Sequence, residues 1–81
     1  MRIVDELSDQ PLRYVQLLLT PSEAHDLHGA LGEVLERLGT TYGDHVHVSD
    51  LEMSRRITLS IYTSENLDQF DPKYRRLIVE D

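Results

Sequence analysis

The strongest structural signal in the chain is TPSEAHDLHGALGEVLERLG, residues 20–39. Thr20 suits the N-cap position of a helix, Pro21 the first helical position and Glu23 the third, which is the capping-box arrangement. Glu23 also places a negative charge at the positive end of the helix dipole. The sequence therefore predicts a helix that begins at Pro21.

The predicted helix runs to about Leu38, because Gly39 supplies the left-handed residue that ends many helices. At about 100° per residue its apolar side chains form one stripe, which we expect to face a sheet. The stripe consists of Leu27, Leu31, Val34, Leu35 and Leu38. The opposite side carries Asp26, Glu33, Glu36 and Arg37. His25, Gly29 and Gly32 lie on one flank of the stripe, where small residues let another segment of the chain, or a partner or ligand, approach closely.

Strand patterns lie on both sides of this helix. Residues 2–7 predict a short edge strand, and after a turn residues 12–19 predict a longer one. The second has apolar residues on both faces and is therefore expected to be central. After a loop at 40–43, residues 45–48 and 56–62 alternate apolar and polar side chains, which predicts an antiparallel hairpin.

Asp71 and Pro72 resemble a second helix start and predict a short C-terminal helix. Its inward side chains are Tyr74, Leu77 and Ile78. The element order is then ββαββα, an α+β fold. We expect a small antiparallel-rich sheet with one main amphipathic helix and a short C-terminal helix on one face. At this length residues 1–81 should form one domain, with residues 1–10 as an edge strand or a loosely ordered arm.

The composition restricts the class of protein. Hydrophobic residues make up 40% of the chain, yet no apolar run is long enough to span a bilayer. The charged N-terminus lacks the apolar region of a secretion signal. Because there are no cysteines, disulfides, thiolate catalysis and Cys-ligated metals are excluded. We therefore expect a cytoplasmic protein with no membrane partner.

The net charge of −7 arises within the first 52 residues, which hold ten acidic and three basic residues; residues 53–81 hold five of each. Such a chain repels a phosphate backbone, so we expect no nucleic-acid partner. A protein partner with a basic surface would be attracted. The alternative is an acidic surface that serves solubility alone. Two basic clusters, 55–56 and 73–76, are expected to pair internally. Their candidate partners are Asp50, Glu52, Asp68 and Asp71.

One face of the predicted sheet has a composition typical of interfaces. If Val46 and Val48 meet the helix, the other face holds tyrosines, histidines, hydroxyls and an amide, without charges. Its members are Tyr14, Gln16, Leu18, His45, His47, Thr58, Ser60 and Tyr62. An ordinary solvated sheet face is the alternative. A homodimer through this face, or through an exposed strand edge, is its simplest use.

The four histidines form two pairs, His45 with His47 on a strand and His25 with His28 on the helix. Imidazoles at these spacings can share a metal ion. We expect the two pairs on opposite sides of the sheet, however, so four ligands do not meet and no metal site is predicted. The triad-like run at 47–50 fails because adjacent strand residues point to opposite faces. With no phosphate loop or nucleophile elbow either, we predict a non-enzymatic protein without a cofactor.

The C-terminal half contains three motifs, HVHVSD at 45–50, RRITLSIYTSENL at 55–67 and FDPKYRRLI at 70–78. They resemble segments of small stand-alone bacterial α+β proteins, some of which are classed as immunity proteins of polymorphic toxin systems. The resemblance implies a protein that binds and neutralises a cognate toxin, typically through an acidic surface.

The sequence thus predicts a non-enzymatic protein-binding module of immunity or accessory type, with a larger bacterial protein as its partner. The expected partner-binding residues are Asp26, Glu33 and Glu36 on the helix, and Tyr14, Gln16, His45, His47 and Tyr62 on the sheet face. Two alternatives stay open. One is a small-molecule or metal-binding domain that uses the histidine and tyrosine face, and the other is a homodimeric structural protein.

Overall fold

The computed structural model describes residues 1–39 and 45–80. The predicted loop at 40–43 lies outside these residues. The strands are β1 (Ile3–Val4), β2 (Pro11–Leu12), β3 (His45–Ser49) and β4 (Arg56–Ser60). The helices are α1 (Pro21–Glu36) and α2 (Pro72–Glu80), and Leu67–Gln69 forms a 3₁₀ turn. This order confirms the predicted α+β class and the ββαββα sequence of elements.

The strands are antiparallel, as predicted, but they form two sheets of two strands each, β1 with β2 and β3 with β4. The strand predicted over 12–19 is wrong, since only Leu12 belongs to a strand. Side-chain propensity favours a strand there, but a strand also needs a neighbour for its backbone hydrogen bonds. The chain divides into two compact units, one of residues 19–64 and one of residues 1–18 and 65–81.

In the unit of residues 19–64, α1 begins with the predicted capping box. Thr20 Oγ1 accepts a hydrogen bond from the Glu23 N–H at 3.2 Å, and Glu23 Oε1 accepts one from the Thr20 N–H at 2.9 Å. The helix ends at Glu36, two residues earlier than predicted. Gly39 has a φ of 85°, which is the left-handed conformation expected of it.

The β3–β4 hairpin has the predicted faces. Val46 lies opposite Leu59 and Val48 opposite Ile57, while His47 lies opposite Thr58. The connecting turn is held by Asp50. Its carboxylate accepts hydrogen bonds from the Ser54 N–H at 2.8 Å, the Ser54 hydroxyl at 2.9 Å and the Arg55 N–H at 3.2 Å.

The core of this unit lies where α1 packs on the hairpin. Val34 is completely buried and Val46 nearly so. The predicted apolar stripe is only partly covered, because Leu31 and Leu35 on one side of it remain about half exposed. The helix therefore meets the sheet along a narrower line than its sequence predicts.

The other unit joins the β1–β2 hairpin to α2. Asp71 caps α2, since its carboxylate accepts a hydrogen bond from the Lys73 N–H at 3.0 Å. The Lys73 ammonium lies 3.2 Å from the Asp9 carboxylate, and this hydrogen-bonded ion pair raises the pKa of Lys73. Arg2 also donates to the last turn of α2. Residues 1–10 are thus tied to the C-terminal helix.

Candidate functional site

An open groove of about 510 Å³ lies between α1 and β3. The helix contributes His25, Asp26, Gly29, Ala30 and Glu33, and the strand contributes His47, Val48 and Ser49. These helix positions include pairs three and four residues apart, so they form one flank of α1. The groove therefore joins the acidic helix surface and the histidine strand surface, which the sequence presents as separate candidates.

Gly29 has no side chain, so the helix surface projects little into the groove at this position. An added Cβ at Gly29 or at Gly32 would meet nothing within 4 Å. Within the unit of residues 19–64, both positions therefore have room for a larger side chain.

On the strand side, the His47 ring is fixed by the neighbouring strand. Its Nδ1 lies 2.8 Å from the Thr58 hydroxyl oxygen. The His45 and His47 rings meet edge to face, with centroids 5.5 Å apart. His45, His47 and Thr58 thus share one face of the hairpin, as predicted, and both imidazoles are exposed.

One member of each histidine pair contributes to the groove lining, although the His47 ring lies with Thr58 on the hairpin face opposite Val46. His25 from α1 and His47 from β3 line the same groove. In the described residues, no three His, Asp or Glu side chains are grouped closely enough to hold a metal ion.

The three acidic residues of α1 that were predicted to bind a partner divide into two groups. Asp26 and Glu33 line the groove, whereas Glu36 is exposed but not part of its lining. Glu33 is also 3.9 Å from the Arg37 guanidinium, which offsets part of its charge. Both carboxylates are exposed, but Glu33 shares its charge with Arg37, so Asp26 has the more available negative charge of the two.

Arg37 is a correction to the predicted helix faces. Its charge predicts a position opposite the apolar stripe, yet its side chain turns toward β3 and donates a hydrogen bond to the His45 carbonyl at 3.1 Å. Three residues after Val34, it lies only about 60° from that buried position around the helix. A long aliphatic stem lets the guanidinium lie along the helix–sheet junction.

Tyr14 and Gln16 do not join β3 and β4 in a sheet, because residues 13–19 form no strand. Both side chains are exposed, as is Tyr62 beyond the end of β4. The predicted eight-residue sheet face is therefore reduced to the hairpin positions.

Asp50 has a structural role. Hydrogen bonds from the Arg55 N–H and from Ser54 lower its pKa, and the Arg55 guanidinium lies 3.7 Å from it. This ion pair confirms one of the predicted internal pairings. The Asp50 carboxylate accepts its hydrogen bonds within the turn. The preceding residue, Ser49, lines the groove.

Sequence reasoning identified the flank with His25 and Gly29 as a possible partner or ligand surface, but it missed Ala30, Val48 and Ser49 as groove residues. The spacing of His25, Gly29 and Glu33 along one helix flank is a signal for the helix side of the groove, where Ala30 also lies. Nothing in the sequence identifies which strand edge lies next to that flank.

Comparison of the chain with protein-family models, with curated proteins and with solved structures finds no match. Neither helix in the described part of the chain is long and apolar enough to cross a membrane.

Proposed function

We propose that this protein is a non-enzymatic protein-binding module whose α1–β3 groove holds an extended segment from a larger partner. The observation that supports this proposal is the composition of the groove walls. Asp26 and Glu33 lie on the helix wall, and residues 47–49 of β3 form the other wall. Within the described residues β3 pairs only with β4.

The shape of the groove favours a peptide segment over an enclosed small molecule. Small-molecule sites are concave and bury most of the ligand surface. This groove is open along its length, and its 510 Å³ would hold a few side chains of a longer chain. An unpaired strand edge can also accept an added strand through main-chain hydrogen bonds.

Charge favours a basic partner. The chain carries a net charge of −7, and Asp26 and Glu33 place negative charge at the groove. Complementary charge chiefly accelerates association and selects among partners. The immunity or accessory role follows from this proposal, since the resemblance of the C-terminal half implies neutralisation of a toxin through an acidic surface.

The test is affinity capture from the native organism's lysate with tagged protein, followed by mass spectrometry. We expect one stoichiometric larger protein. Asp26→Lys should weaken its capture at least tenfold, and Glu36→Lys should weaken it much less. The two variants make the same change of charge on the same helix, so the comparison separates contact in the groove from general attraction.

Two results would count against the groove. If Asp26→Lys and Glu36→Lys weaken capture of the partner equally, long-range electrostatic attraction alone explains the loss and contact in the groove does not. Recovery of the bait alone at moderate salt would remove the proposal of a larger partner.

One observation favours a second candidate, a metal-binding or small-molecule site. His25 and His47 line one groove, although they are far apart in sequence. Zinc or nickel bound there would raise the melting temperature, and His47→Ala would abolish the shift. His28→Ala is the matched control, since His28 is exposed on α1 and is not part of the groove lining. A melting temperature that no metal changes would eliminate this candidate.

A further inference from the structure

The segment Tyr14–Leu19, which reads YVQLLL, is an exposed apolar surface that shares no residue with the groove. It belongs to no helix or strand. Tyr14 is 92% exposed and Leu18 83% exposed. Contiguous apolar side chains in water mark an interaction surface in a folded protein.

The segment already alternates as a strand does. The odd-numbered residues are the less exposed, Val15 at 57%, Leu17 at 47% and Leu19 at 39%. Tyr14 and Leu18, on the even-numbered side, are the more exposed. Successive side chains thus turn to opposite sides, with the period of two that strands have. In the part of the chain that the structure describes, residues 13–19 form no hydrogen bonds, so their backbone groups can pair with another chain.

A second copy of the chain carries the same unpaired segment. Each copy can therefore supply the strand neighbour that the other lacks.

The flanking charges favour an antiparallel arrangement of two copies. No charged residue lies between Arg13 and Glu23. In an antiparallel pair, Arg13 of one copy lies toward Glu23 of the other, and the uncharged residues meet in the middle. A parallel pair would place like charges together, which destabilises a sheet.

We propose that Tyr14–Leu19 pairs with the same segment of a second copy, antiparallel about a two-fold axis at Leu17. Val15 then lies opposite Leu19 of the other copy, so the aliphatic side chains of both copies share one face. The contact is isologous and closes as a dimer. It uses none of the groove residues and so goes beyond the function proposed above.

The absence of cysteine permits a direct test of this register. A single Leu17→Cys would place the two thiols opposite each other at the axis. In the same pairing, Thr20 and its copy are roughly 20 Å apart, and residue 22 lies farther still. Ser22→Cys is therefore a conservative control. We expect Leu17→Cys to form a disulfide-linked dimer under a mild thiol oxidant, and Ser22→Cys to stay unlinked.

The unmodified protein supplies a second measurement that does not depend on a variant. Its mass in solution should be twice 9.4 kDa. A monomer at every concentration would overturn the proposal, and so would a dimer in which Leu17→Cys does not cross-link. Cross-linking of Ser22→Cys as fast as Leu17→Cys would overturn the antiparallel pairing. Asp26→Lys should leave the dimer intact, which separates this result from the outcome at the groove.

Discussion

Arg2 Nε donates a hydrogen bond to the carbonyl oxygen of Leu77 at 3.1 Å, although 75 positions of sequence separate the two residues. The same guanidinium donates through Nη2 to the Ile78 carbonyl at 2.9 Å. Carbonyls in the last turn of a helix lack partners within the helix, and a cation there also complements the dipole. Arg2 therefore fastens the N-terminal hairpin to the end of α2.

We expect Arg2→Lys to destabilise this unit by about 1 to 2 kcal/mol, because an ammonium cannot reproduce the two directed donors. The loss should appear as faster amide hydrogen exchange in α2. Arg76→Lys is the control, since Arg76 is an exposed position of the same helix. If amide hydrogen exchange in α2 is unchanged in Arg2→Lys, the two hydrogen bonds from the Arg2 guanidinium do not stabilise α2.

The capping box makes a sharper prediction. Thr20→Ala removes the acceptor for the Glu23 N–H and should cost about 1 kcal/mol, which lowers the melting temperature by about 4 to 8 °C in a domain of this size. Ser22→Ala alters an exposed hydroxyl in the same turn and should have little effect. Thr20→Ser keeps the acceptor, so its melting temperature should lie close to that of the parent. A similar loss in Thr20→Ser would point to the lost methyl group instead of the cap.

The features that were predictable from sequence are those that neighbouring residues determine together. Thr20 and Glu23 lie three positions apart, and their capping geometry depends on little else. Asp71 and Pro72 likewise start α2. The alternation from His45 onward also sets the hairpin faces, because a shift of one residue would turn every side chain over.

The features that were not predictable depend on which elements meet. Residues 13–19 have the composition of a strand, but composition does not supply a hydrogen-bonding neighbour. Arg37 has the charge of a surface residue, yet its position around the helix, near Val34, takes it to the sheet. The groove is the same kind of case, since His25 and His47 line it together only once α1 packs on the hairpin.

The narrow core predicts an uneven response to truncation along α1. Val34→Ala should cost about 2 kcal/mol, since it removes buried methyl groups and leaves a cavity. Leu35→Ala removes more atoms but from a half-exposed side chain, and we expect it to cost less than about 1 kcal/mol. Urea unfolding with an unchanged m-value would measure both. An equal or larger loss for Leu35→Ala would mean that this flank is covered, as by a partner copy.

The Asp50 turn predicts how stability depends on pH. Hydrogen bonds from the Arg55 N–H and Ser54 hold the pKa of Asp50 below its usual value. A carboxyl with a lower pKa in the folded than in the unfolded state stabilises the fold above its unfolded pKa. That contribution is lost as the pH falls below roughly 4 and through the folded value.

We therefore expect Asp50→Asn to melt at a lower temperature than the parent at neutral pH and to lose less stability on acidification. The melting temperatures of the two proteins should become equal as the pH falls toward 2.

Asp5 accepts hydrogen bonds from the Leu7 N–H and the Ser8 hydroxyl in the same way, and its pKa is lowered too. Some acid sensitivity should therefore persist in Asp50→Asn and diminish further when Asp5→Asn is added. Asp68→Asn, at an exposed position of the 3₁₀ turn, is the control for loss of a carboxylate alone. If the melting temperatures of Asp50→Asn and the parent differ by the same amount at every pH between 2 and 6, the Asp50 turn does not contribute to the loss of stability in acid.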